Sequence, residues 1–148
     1  MPGETESEYK ISCSPAERLL FEQIVSAEVD QRTWGYEGYF LIAQTVANQL
    51  ADGYWGNTLT DVLTYKDNYS VYASGRYLEV EVPDLAREAV DDVLKGNKPI
   101  SLYDYGHHTL ESILYFCTAT HLSRHPAGFR AQQTEIMRYK GVVFFSKN

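Results

Sequence analysis

Glu28 is the residue with the most pointed chemical potential in this sequence. Counting by four from Leu20 through Ile24 lands on it, with Ala27 alongside, so it falls on the apolar stripe of a helix. A carboxyl group placed there loses hydration. The charged form is then disfavoured, the pKa rises, and the group can stay protonated near neutrality and act as a general acid. Glycosidic-bond cleavage uses such an acid. The alternative is a helix-end glutamate turned to water. Glu37 shares a helix face with Gln44 and Asn48, so the three either line one polar groove or form a solvated face. Tyr69 and Ser70 offer a ring and a hydroxyl to a sugar, the alternative being a partly buried aromatic near a turn. Tyr115 falls within an expected strand and points either to a core or to a cleft.

Two rival chemistries are weaker. Cys117, His121 and His125 fall four apart, a spacing that would suit zinc on a helix. Cys117, however, ends an expected strand and Pro126 follows His125, so the three do not share one helical face. No metal site and no cofactor is expected. His107-His108 beside Gly106 reads as loop. Ser-His-Asp or Cys-His catalysis is open to this inventory, but nothing places a nucleophile on a glycine-flanked turn.

The elements that must position these residues are legible in outline. Ser14-Pro15-Ala16-Glu17 is a capping box with proline at the first helical position, opening a helix that runs to about Val29. A second helix follows Gly35, with Phe40, Ala43, Val46, Ala47 and Leu50 on one stripe, and stops near Asp52-Gly53. Thr58 caps a brief third helix, broken at Lys66-Asp67-Asn68; irregular or weakly extended chain is expected after it. Pro83 starts another helix, with Ala86, Ala89, Val90, Val93 and Leu94 inward and Gly96 as its stop. Residues 113–117 read as a buried strand, and 134–139 and 142–146 as a hairpin turning at Lys140-Gly141. Helices followed by a few strands imply an α+β fold, a helical lobe with a small antiparallel sheet.

The chain has 148 residues, 44% hydrophobic and 22% charged, which suits one soluble domain with a real core. Residues 1–13 read as a flexible lead-in and 14–148 as the domain. A formal charge of −7 argues against nucleic-acid binding, which needs a basic face. No apolar run approaches the roughly 20 residues of a membrane span, and no signal peptide is visible in the acidic start. Cys13 and Cys117 are too few for a disulfide scaffold. The 12 tyrosines and 2 tryptophans favour partners recognised by stacking and hydrogen bonding.

Several strings taken in order carry a resemblance. Leu19-Leu20 through Ala27-Glu28, then Tyr36-Glu37-Gly38 and Ala43-Gln44-Thr45-Val46-Ala47-Asn48, resemble the opening of the SleB-like spore-cortex and cell wall hydrolase family. Leu59-Thr60-Asp61-Val62-Leu63 followed by Asp67-Asn68-Tyr69-Ser70 resembles that family's stretch ending in an aromatic-Ser/Thr pair. The helix from Ala86 to Gly96, the Leu114-Tyr115-Phe116 strand and Gly141-Val142-Val143-Phe144-Phe145 resemble later pieces, so the likeness spans most of residues 17–146. The chain departs from the pattern in three places. Val29-Asp30-Gln31-Arg32 replaces the Ala-Arg-Gly-Glu after the catalytic glutamate, Thr118-Ala119 replaces an Asn-Pro, and Val142 stands where a histidine is common.

The resemblance implies a lysozyme-like, lytic transglycosylase-like fold that cleaves the bond between N-acetylmuramic acid and N-acetylglucosamine in peptidoglycan. It implies Glu28 as catalytic acid and, through its Tyr-Glu-Gly match, favours Glu37 in substrate binding; Gln44, Tyr69, Ser70 and Tyr115 are the further substrate-binding candidates, and the cleft is expected between the helical lobe and the sheet. A lytic transglycosylase needs only one carboxyl group, whereas direct hydrolysis would recruit a second, for which Asp30 and Glu37 are the candidates. The alternatives are a direct glycoside hydrolase and a non-enzymatic glycan-binding or assembly protein on the same fold. Action on a cell wall or spore cortex follows, and the lack of a visible signal is consistent with a phage or prophage product released by a partner, or with an excised catalytic domain.

Overall fold

The computed structural model describes residues 9–30, 32–97, 110–124 and 133–147. They fall into two compact units, Met1–Ile100 and Ser101–Asn148.

The first unit is helical. Helix α1 spans Pro15–Val29 and opens on the expected capping box: Ser14 Oγ accepts the Glu17 N–H at 3.1 Å and the Glu17 carboxylate accepts the Ser14 N–H at 3.2 Å. The other Glu17 oxygen accepts from Thr60 N and Oγ1, at 3.2 and 2.9 Å, and so ties α1 to α3, Leu59–Thr64, whose own cap is Thr58. Helix α2 spans Tyr36–Asp52 and closes at Gly53. Its glycine of greatest consequence is Gly38: a Cβ there would lie 2.4 Å from Cε3 of Trp34, so only glycine lets the indole of the preceding loop close against the first turn. Helix α5, Asp84–Lys95, closes at Gly96 and packs most extensively on α2, where Ala86 and Ala89 let the backbones approach. Phe21, Ile24 and Val25 of α1, Phe40, Leu41 and Val46 of α2, Val62 and Leu63 of α3 and Val90 of α5 form the buried core. Among the described residues no helix is long and apolar enough to cross a membrane.

Three expectations for this unit are corrected. Chain after Asn68 holds short helical turns before it becomes irregular over residues 79–83: α4 covers Ser70–Ala73 and a 3-10 turn covers Arg76–Leu78, because Tyr69 and Gly75 each start a short run of i to i+3 backbone bonds. Pro83 is the N-cap of α5, not its first residue. Residues 9–11, within the stretch read as a lead-in, make ordered contacts: Lys10 and Ile11 donate their N–H groups to the Leu94 carbonyl at 2.8 and 3.0 Å, and the Tyr9 hydroxyl donates to Asp91 at 2.8 Å. Backbone bonding to an open helix end does not depend on side-chain type, so composition does not reveal it.

The second unit is a three-stranded antiparallel sheet in the order β1-β3-β2, with β1 Tyr115–Thr118, β2 Gln133–Tyr139 and β3 Val142–Lys147. The hairpin turns where expected, with φ of 45° at Lys140 and 86° at Gly141, the left-handed pair of a type I′ turn. A bulge between Glu135 and Met137 shifts the register of β2. Strand β1 starts later than expected and is half-buried; the fully buried residues are Ile113 and Leu114, which precede it. Helix α6, Ala119–Arg124, was not foreseen: its Leu122 packs with Val143 and Phe145, and Tyr115, Cys117 and Ala119 lean on the same cluster.

Candidate active site

Glu28 lies in the last turn of α1, half-buried. Its carboxyl makes no hydrogen bond or ion pair with any described residue, so none of them replaces by direct bonding the hydration it has lost. Burial pushes its pKa up to about 7, opposed by the nearby Arg32 guanidinium. Such a group is protonated or ionised with comparable ease near neutrality and can both give and take a proton. Arg32 is held close by its own contacts: its Nε donates to the Glu28 carbonyl at 3.2 Å, and its guanidinium lies 4.9 Å from the centroid of the Trp34 ring.

A buried polar network accompanies this turn. Tyr69 precedes α4, is 3% exposed, and donates its hydroxyl to Gln49 Oε1 at 2.9 Å. The same oxygen accepts from Asn68 Nδ2 at 3.0 Å, while Gln49 Nε2 returns a bond to Asn68 Oδ1 at 3.2 Å and Asn68 Nδ2 also reaches the Val62 carbonyl. Burial and the charge of Glu28 both raise the proton affinity of the Tyr69 hydroxyl. The reading of Tyr69 as a stacking surface for sugar is therefore corrected. A ring this buried has no face to offer a ligand. Gln49 was missed by sequence reasoning although a signal was present: it lies one turn after Thr45 on the inward side of α2, where an unpartnered amide would be costly.

The remaining candidates separate. Gln44 and Asn48 are buried and joined, Gln44 Nε2 donating to Asn48 Oδ1 at 2.8 Å, whereas Glu37 is exposed in the first turn of α2. Ser70 is exposed beside buried Tyr69. Tyr115 belongs to the second unit, where its half-buried ring packs on the sheet's own cluster. Asp30 is ion-paired with Arg76 of the 3-10 turn. Beside the same end of α1 a cleft of about 380 Å³ is lined by Asp30, Arg32, Tyr39, Arg76, Glu79 and Glu81 among others. Cys117 lies on β1 and His121 on α6; His125 and the His107-His108 pair lie outside the described residues. Among the described residues no group of side chains is arranged to hold a metal ion.

No protein-family model and no curated protein matches this sequence. Solved structures do. The catalytic domain of the germination-specific lytic transglycosylase SleB from Bacillus anthracis matches with a TM-score of 0.67 and 17% identity, over 91% of this chain and 98% of that one. The catalytic domain of the Bacillus cereus SleB protein matches with a TM-score of 0.69 and 18% identity, over 94% and 96%. Likeness at this identity establishes the fold, a lysozyme-like, lytic transglycosylase-like α+β arrangement of a helical part and a small antiparallel sheet.

Proposed function

We propose that this protein is a SleB-like enzyme that cleaves peptidoglycan glycan strands between N-acetylmuramic acid and N-acetylglucosamine, with Glu28 as its catalytic acid. One observation carries the reading: a half-buried carboxyl without a bonding partner among the described residues, its pKa raised to about 7, lies in the last turn of a helix in a fold shared with two lytic transglycosylase or SleB catalytic domains. In this mechanism Glu28 protonates the leaving glycosidic oxygen. The resulting carboxylate then takes the proton of the muramoyl C6 hydroxyl as that oxygen attacks its own anomeric carbon, giving a 1,6-anhydro end and restoring the acid. No water is consumed and a single carboxyl group suffices. The engagement of Asp30 with Arg76 and the exposure of Glu37 support transglycosylation over the two-carboxylate route, which needs a second group free beside the bond. The wall or spore cortex is then where the protein acts.

The test is turnover of purified peptidoglycan and spore cortex by the wild type and by Glu28→Gln, with soluble products read by mass spectrometry. Anhydro-muropeptides, one water lighter than reducing ends, are expected from the wild type and absent with the variant. Reducing ends alone would replace transglycosylation with hydrolysis. Equal turnover by both proteins would remove Glu28 from the role, and binding without turnover would make the protein a glycan-binding module.

A further inference from the structure

The cleft of about 380 Å³ at the end of α1 takes no part in the chemistry proposed for Glu28, yet its charges are arranged for a ligand, and its volume is in the range of small-ligand sites. Asp30 and Arg76 neutralise one another within it. That leaves two features uncompensated. Arg32 is fixed by its bond to the Glu28 carbonyl and by the Trp34 ring, but no described carboxylate pairs with its outer nitrogens. A guanidinium already immobilised through its inner nitrogen and its stacked face loses little further freedom on gripping a carboxylate. Glu79 and Glu81, also lining the cleft, are exposed and have no cationic partner among the described residues. A preset guanidinium and two free carboxylates fit a ligand that carries both a carboxylate and an ammonium group.

Peptidoglycan contains one such component. Its sugars carry hydroxyl and acetamido groups, whereas free carboxylates and amino groups belong to the short peptide branches, and those branches hang from the muramoyl residue whose anomeric carbon is attacked. Arg32 lies just past the end of α1 and its Nε bonds the Glu28 carbonyl, so the cleft it lines adjoins the residue proposed as the acid. We infer that this cleft is a subsite for the peptide branch of peptidoglycan, with a branch carboxylate on Arg32 and a branch ammonium against Glu79 and Glu81. The inference rests on the peptidoglycan reading of Glu28.

Calorimetry with a soluble wall tripeptide, alanyl-γ-glutamyl-diaminopimelate, tests it without requiring turnover. Binding to the wild type is expected, weakened about tenfold or more in Arg32→Ala and in the double variant Glu79→Gln, Glu81→Gln, as loss of a hydrogen bond to a charged group predicts. These side chains are exposed, and thermal melts of each variant verify folding. In parallel, the wild type is expected to show a lower KM on glycan strands bearing peptides than on strands stripped by an amidase. Absence of tripeptide binding, equal binding by the variants, or equal binding of free alanine would overturn the subsite, and cleavage of both strand types alike would leave the reading of Glu28 standing without it. Variant-sensitive tripeptide binding by a protein that cleaves no glycan would keep the subsite and overturn that reading instead.

Discussion

Glu28→Gln is expected to make the protein more stable at pH 8 and to leave its stability unchanged at pH 4. The carboxyl has an ordinary pKa of 4.5 when the chain is unfolded and about 7 when folded. Between those values the unfolded chain releases a proton that the folded one keeps, so stability falls as pH rises through this window and is level above it. The difference of 7 less 4.5 amounts, at about 1.4 kcal/mol per pH unit, to roughly 3 to 4 kcal/mol. Glutamine has the shape of the protonated acid and nothing to ionise, so the variant escapes this loss. Urea unfolding of both proteins at pH 4 and pH 8, followed by tryptophan fluorescence, measures the difference; Trp34 and Trp55 both lie in the unit that contains Glu28. All other carboxylates are common to the two proteins and cancel. A stability difference that is the same at both pH values, or that favours the wild type at pH 8, would refute the claim that Glu28 is held without a partner in a dehydrated place.

Other outcomes follow from the same geometry. Arg32→Ala removes the one nearby cation that lowers the Glu28 pKa, so the alkaline limb of the pH–rate profile is expected to move upward, by less than about one unit because the guanidinium is exposed and screened; a downward shift would reverse the assignment. Gln49→Ala takes an acceptor from both Asn68 and Tyr69 and is expected to cost about 3 kcal/mol in chemical denaturation, against about 1 kcal/mol for Tyr69→Phe, which removes the Tyr69 hydroxyl's bond to Gln49. Equal losses would mean that the amide pair with Asn68 contributes nothing. Gly38→Ala forces the Trp34 indole from its place and is expected to lower stability by about 2 kcal/mol with a change in tryptophan emission, whereas an unperturbed spectrum would show that the loop yields freely.

What the sequence disclosed and what it withheld have physical causes. Capping boxes, glycine stops and the Lys140-Gly141 turn are local rules, satisfied within a few residues, and the helix and hairpin ends they imply lie where they were read. Glu28 was legible for the same reason, since a carboxyl on an apolar stripe is visible from periodicity alone. The short helical turns after Asn68 were not, because nucleating three or four residues of helix depends on neighbours distant in the chain. Tyr69 was misjudged on the same ground: its type suits both a sugar platform and a buried support, and only the arrival of Gln49 from α2 decides between them. Arg32 and Arg76 gave no pattern to read, because what matters is their partners, Trp34 and Glu28 for one and Asp30 for the other.

Helix α1 carries one glutamate in its first turn and another in its last, and the two are held in opposite senses. Glu17, in the first turn, has its pKa lowered by the backbone N–H of Ser14 and by Thr60, while Glu28, in the last turn, has its pKa raised. Beyond these local causes, the aligned peptide dipoles place partial positive charge at the first end and partial negative charge at the other, with no basic residue in the last turn to offset it. The direction in which the chain runs through this one helix thus favours the anion at Glu17, which fastens α1 to α3, and the proton at Glu28. An acid carried on the opposite end of the same helix, in equal surroundings, would be the weaker proton reservoir.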